Sequence, residues 1–252
     1  MNENLSIPKN EVSRLDALAQ HNILDTLPEE EFDRLTQLAS IICGVPIALI
    51  TLIDKDRQWF KSKIGLEIPE TPRDISFCQY TINGESLFEI EDATKDERFL
   101  STPLVTDQPN IRFYAGYPLI DPDGYALGSL CVIDRQARKL TADQRLALTL
   151  LANEVVSQIV SRKKNAEKEK LEKMFDLSID LICVVDSDGY FKKMNPAFTL
   201  TLGWTIDELL AKPIIDFVHP DDVTITSNEI KKLTTGEKTI NFENRYITKN
   251  GD

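Results

Sequence analysis

The sequence predicts an α+β fold: a mostly antiparallel sheet flanked by helices, a long connecting helix, and then a second, smaller antiparallel sheet. Three observations carry this. First, two β-rich runs flank Asp121-Pro122-Asp123-Gly124, where Pro presets φ for the turn and Gly supplies a positive φ. Phe113, Tyr114, Tyr117, Leu119 and Ile120, then Ala126, Leu127, Leu130, Val132 and Ile133, make both runs apolar at nearly every position. A hairpin of that kind is central and covered on each face. Second, strands and short helices succeed one another without the regular βαβ alternation of a parallel sheet. Third, Thr141-Ala142-Asp143-Gln144 is a capping-box pattern that opens a long helix.

In chain order, residues 1–10 are polar, and Glu11–Gln20 reads as a short helix with Leu15 and Leu18 on one face. A second helix starts at Pro28, which suits a first helical turn, with Glu29, Glu30 and Glu31 at the positive end of the dipole. Phe32, Leu35, Ala39 and Ile42 form its stripe and Gly44 stops it. Ile47–Asp54 is a buried strand, and Gln58–Ser62 an alternating one. Ser76–Ile82 reads as a short helix before the turn at Asn83-Gly84, and Leu87–Glu91 as a third strand. Asp96–Leu100 is a helical turn leading to the hairpin. Gly116 and Gly128 lie inside the hairpin strands, where Gly marks a bulge or a close approach.

After Thr141, Leu148, Leu151, Val155 and Ile159 make an apolar stripe, residues 162–170 are mostly charged, and apolar residues return at Leu171, Met174 and Phe175. This spacing suggests a parallel homodimer through the helix; a solvated helix joining two domains is the other reading. Leu181–Asp186 and Tyr190–Met194 flank the turn Ser187-Asp188-Gly189. Thr205-Ile206-Asp207-Glu208 is a second capping box, and a helix opened by 217–222 stops at Gly236. Thr239–Thr248 alternates as a strand and meets Asn250-Gly251, a strong hairpin signal.

At 252 residues, two domains are expected. The net charge of −12 argues against nucleic acid and anionic membrane as partners. No apolar run approaches the ~20 residues of a membrane helix. The N-terminus has no signal-peptide pattern, so a cytoplasmic location is expected. Cys43, Cys78, Cys131 and Cys183 lie far apart, and His21 and His219 are isolated. No metal site and no disulfide frame are therefore expected.

Arg112–Leu119, then Gly128–Asp134, with Phe77-Cys78, Asp96–Phe99 and Leu24–Leu35 upstream, resembles the GAF domain, in the subgroup common in bacterial sensor kinases. Asn195–Phe198, Leu202-Gly203-Trp204 and His219–Asp222 together resemble a PAS domain, in which His219 takes a structural or capping role. The expected division is residues 1–160 as the GAF domain with N-terminal helices, 161–176 as the connecting helix and 177–252 as a PAS domain. A PAS sheet has five strands and only three are legible here, so a truncated PAS domain is expected.

No G-x-G-x-x-G, G-x-x-x-x-G-K-[ST], G-x-S-x-G or H-E-x-x-H motif is present. The GAF resemblance implies a pocket for a small molecule, with Trp59, Phe77, Cys78, Phe113, Tyr114 and Cys131 as its candidate lining; the alternative is that these are simply core. A phytochrome-like GAF holds its bilin through a Cys in the segment matching residues 103–110, which has none here, so no covalent bilin is expected. No flavin-reactive Cys is found near Asn195–Trp204. The ligand itself is unknown.

The resemblance thus implies the sensory region of a cytosolic signal-transduction protein, with a sensor histidine kinase of a two-component phosphorelay as the expected C-terminal output and a diguanylate cyclase as second choice. A small thiol-dependent enzyme of the GAF fold, such as a methionine sulfoxide reductase acting through Cys78 or Cys131, is the alternative.

Overall fold

The computed structural model describes residues 7–236 and 241–251. The chain divides into two compact units, Met1–Asn165 and Ala166–Asp252.

In the first unit, α1 (Glu11–Gln20) and α2 (Glu30–Cys43) precede the sheet. Gly44 ends α2 in the left-handed conformation, as its position predicts. The buried stripe of α2 is Phe32, Leu35, Thr36, Ala39 and Cys43. Ile42, expected in that stripe, is exposed. Cys43, eleven residues after Phe32, falls on the inward face in its place.

The sheet has six strands in the order β3-β2-β1-β6-β5-β4. These are β1 (Ile47–Ile53), β2 (Arg57–Ile64), β3 (Glu70–Pro72), β4 (Phe88–Ile90), β5 (Phe113–Ile120) and β6 (Ala126–Asp134). Every pairing is antiparallel. The hairpin β5–β6 is interior and nearly all buried, as its composition predicts. Residues Arg57–Ile64 do not alternate in burial: Gln58 through Ser62 are all buried. β2 lies between β1 and β3 with cover on both faces, which leaves its polar residues no solvent side.

Side chains on successive strand residues point to opposite faces, and this divides the core. One face holds Ala48, Ile50, Leu52, Trp59, Phe113, Ala115, Leu130 and Val132, covered by α1, α2 and the start of α5 (Ala142–Leu177). The other holds Ile47, Leu49, Phe60, Tyr114, Cys131 and Ile133. It packs against α3 (Cys78–Thr81), Phe99 and the turn of α4 (Pro103–Thr106).

The capping box at Thr141 forms: the Gln144 amide donates to Thr141 Oγ1 at 3.2 Å and Gln144 Oε1 accepts the Thr141 amide at 3.0 Å. Leu148, Val155 and Ile159 of α5 lie in the unit's own core, at most 1% exposed. Each such side chain contributes about 1.5–3 kcal/mol by its burial. These residues of the predicted stripe face the sheet of their own chain.

In the second unit, β7 (Cys183–Val185) and β8 (Phe191–Met194) pair antiparallel. They are followed by α6 (Ala197–Leu202), α7 (Ile206–Leu210) and α8 (Val223–Thr234). Phe191, Phe198, Leu202, Leu209, Ile214 and Phe217 form its core. The Thr205–Glu208 capping box is complete, and His219 Nδ1 accepts the Asp221 amide at 3.3 Å, the capping role expected of it. Thr239 and Ile240, which open the last predicted strand, lie outside the described residues. The remainder of that segment forms one bridge, Val218–Tyr246, and no strand. The bridge is made by the Ile247 amide donating to Phe217 O and the His219 amide donating to Arg245 O, and beside it the Trp204 indole donates to Ile247 O.

Candidate functional site

Of the six residues singled out as a pocket, four meet. Phe77 and Cys78 come from the start of α3, Tyr114 from β5 and Cys131 from β6, all on one face of the sheet. Trp59 and Phe113 lie on the opposite face. Phe113 and Tyr114 are consecutive in a strand, so no flat sheet can turn both toward one cavity. Trp59 is separated from the site in the same way, with its neighbour Phe60 taking the inner position.

The four residues form a tight polar-aromatic cluster. The Phe77 ring stacks on Tyr114 at 5.1 Å and on Phe99 at 4.1 Å. Tyr114 Oη lies 2.6 Å from Thr81 Oγ1 and donates to Cys78 Sγ at 3.3 Å. Cys78 Sγ and Cys131 Sγ are 3.7 Å apart. Gly116 makes this possible: a Cβ there would sit 2.1 Å from Tyr114 Oη. The close approach that an in-strand glycine signals is thus the tyrosine hydroxyl.

The electrostatics separate the two thiols. Burial disfavours charge on both. Hydrogen bonds from Cys131, Ser129, Tyr114 and Thr51 outweigh that at Cys78 and draw its thiol below its ordinary value. Cys131 is held well above its own, by burial first and then by Cys78, and the Tyr114 phenol is raised likewise, again by burial first.

Beside the cluster lies a cavity of about 40 Å³, lined by Leu49, Gln58, Phe60, Phe77, Cys78 and Tyr114 among others, and by Thr71 of β3. That is room for about three water-sized atoms. Gln58 and Thr71 are neighbours across the β2–β3 ladder. They are only 5% and 8% exposed, yet Gln58 Oε1 and Thr71 Oγ1 have no hydrogen-bond partner. Unsatisfied buried polar atoms are rare and point to an occupant that supplies the missing bonds. Sequence reasoning passed over both residues. The available signal was slight: Gln58 precedes the apolar pair Trp59-Phe60 but is one of five polar residues in the strand.

β2 also leads away from the cavity. Lys61, with a fully buried side chain, donates to Glu29 at 2.5 Å, to Thr26 Oγ1 and to Leu27 O. Glu29 accepts in turn from Arg162 of α5 at 2.9 Å. Neither histidine reaches a thiol. His21 lies 3.4 Å from Asp121, and His219 caps its turn. No histidine is hydrogen-bonded to a cysteine among the described residues.

Comparison with known proteins agrees with this architecture. The GAF domain model matches residues 27–159 and the PAS fold model residues 169–251. A cyclic di-GMP phosphodiesterase of Pseudomonas aeruginosa is 45% identical over 141 residues, 56% of this chain but 24% of that protein. The chain thus spans about a quarter of the length of that relative. Among solved structures, the GAF domain of an Acinetobacter phosphoenolpyruvate-protein phosphotransferase aligns with 62% of this chain and 95% of its own (TM-score 0.46, 16% identity). The free methionine-R-sulfoxide reductase of Neisseria meningitidis aligns with 65% and 97% (TM-score 0.45, 14% identity). Two domains common in signal transduction therefore stand in tandem, and no helix among the described residues is long and apolar enough to cross a membrane. The chain belongs to the GAF domain family, and in it a PAS fold follows the GAF domain.

Proposed function

We propose that this chain is the sensory region of a signal-transduction protein, in which the GAF unit reads a very small occupant of the Cys78 cavity and passes its state to α5. One observation carries this reading: the cavity and the helix contact share a strand. Gln58 lines the cavity, and Lys61, three residues along β2, holds Glu29, which holds Arg162. An occupant that binds one placement of β2 better than another biases α5 by its differential affinity.

The relative of 45% identity favours cyclic di-GMP turnover as the output over the histidine kinase that the resemblance alone implies. The proposed partner is a second copy of this chain. Leu146, Leu150, Leu171 and Met174 of α5 are exposed, and their positions fall in one pattern of four- and three-residue steps through 146, 150, 153, 157, 160, 164, 167, 171 and 174. A cytoplasmic location accords with this reading. Grafting the matched stretch into the Pseudomonas phosphodiesterase tests it. The hydrolysis rate should change several-fold between the wild-type graft and a graft carrying Glu29→Gln. Identical rates would contradict the relay.

A further inference from the structure

We propose that Cys78 and Cys131 form an oxidisable dithiol whose co-reactant is hydrogen peroxide, held in the cavity by Gln58 and Thr71. This rests on the sensory reading and names the occupant. The two sulfurs lie 3.7 Å apart, although 53 residues separate them in sequence, so a short movement joins them. Cys78 lines the cavity and Cys131 does not. Cys78 is therefore the sulfur that an incoming oxidant meets, and Cys131 the one that resolves. The cavity admits about three water-sized atoms, enough for two peroxide oxygens. Its otherwise apolar wall offers two unpartnered polar groups, an amide oxygen and a hydroxyl. Hydrogen peroxide has two O–H donors to give them. Tyr114 Oη, 3.3 Å from Cys78 Sγ, stabilises negative charge on that sulfur.

The chemistry balances in two steps. The Cys78 thiolate attacks one peroxide oxygen; the S–O bond forms, the O–O bond breaks, and the leaving hydroxide takes the proton that Cys78 gave up and departs as water. The Cys131 sulfur then attacks the sulfur of the Cys78 sulfenic acid; the S–S bond forms, the S–O bond breaks, and a second water leaves with the Cys131 proton. Two thiols lose two electrons and one peroxide gains them. A dithiol reductant reverses the state by exchange.

The test uses the full chain with Cys43→Ser and Cys183→Ser, so that one thiol pair remains. After hydrogen peroxide treatment, peptide mapping should find Cys78 linked to Cys131. Cys131→Ser should stop at a sulfenic acid on Cys78 that dimedone traps. Gln58→Leu should slow the linkage about tenfold, the scale of one oriented hydrogen bond, and bulky cumene hydroperoxide should react more slowly than hydrogen peroxide. The proposal is overturned if both thiols stay free and alkylate after unfolding, or if Gln58→Leu and cumene hydroperoxide leave the rate unchanged. The wild-type linkage requires no variant at the site, so a variant that fails to fold does not obscure the result. A missing linkage leaves the sensory reading standing, since that reading fails in the graft and not in the mass of a peptide.

Discussion

Arg162 on α5 binds Glu29, 133 residues earlier in the chain, with Nε 2.9 Å from Oε1. The same carboxylate holds Lys61, whose side chain is fully buried. Burial raises the Glu29 pKa, but hydrogen bonds from Lys61 and Arg162 outweigh it, so the group titrates below its ordinary range. Glu29→Gln leaves Lys61 buried beside a neutral group. It should lower the stability of the GAF unit by about 2 kcal/mol, less than a fully buried pair would lose because Glu29 is partly exposed. Urea unfolding measures this, and hydrogen exchange should rise in α5 around Arg162.

Glu11 predicts an acid dependence. Burial opposes its charge, but hydrogen bonds from Arg14 and Arg73 bring its pKa from 4.5 down to about 2. A lowered carboxyl contributes stability that is whole above the unfolded value and is lost as pH falls through the folded one. Glu11→Gln should therefore destabilise the unit by about 3 kcal/mol at neutral pH. The gap to wild type should close between about pH 4.5 and pH 2. A gap constant with pH would mean the pair adds nothing through charge.

On α5 the two faces should respond differently. Val155→Lys puts a charge into the core of the GAF unit, where Val155 is 0% exposed, and should unfold that unit. Leu150→Lys changes a residue that is 59% exposed. It should leave the thermal midpoint within a few degrees and shift sedimentation from dimer to monomer. A wild-type monomer at high concentration would contradict the dimer.

Two glycines separate contact from conformation. A Cβ on Gly128 would lie 1.9 Å from Thr51 O on the neighbouring strand, so Gly128→Ala should cost about 3 kcal/mol or more. Gly124, at φ +85° in the hairpin turn, has nothing within 4 Å. Gly124→Ala should cost about 1 kcal/mol, from backbone conformation alone. Thermal unfolding ranks the two.

The longer elements of the GAF unit were legible through local signals: Gly44 at a helix end, Asp121–Gly124 between two apolar runs, and Gln144 three residues after Thr141; β3 and α4, of three and four residues, are too short to carry one and were not. What the residues could not state was which face each strand residue serves. Trp59 and Phe113 look like pocket residues by type, and the two-residue period sends them to the far side of the sheet. The stripe Leu148–Ile159 looked free to pair with a partner because the sheet that covers it is distant in sequence. Gln58 and Thr71 are ordinary residues until β2 and β3 are paired and both polar ends prove buried and unpartnered. In the second unit, the described residues of the segment read as a strand pair at a single bridge, Val218–Tyr246, a partner no periodicity encodes.

On the proposed relay, occupation of the cavity reaches α5. Xenon enters small apolar cavities without chemistry of its own, so amide NMR spectra of the full chain under rising xenon pressure test it most directly. Shifts are expected at Phe77 and Tyr114 together with Lys61, Glu29 and the α5 amides around Arg162, the latter abolished by Glu29→Gln. Shifts confined to the cavity lining, with α5 unmoved, would contradict it.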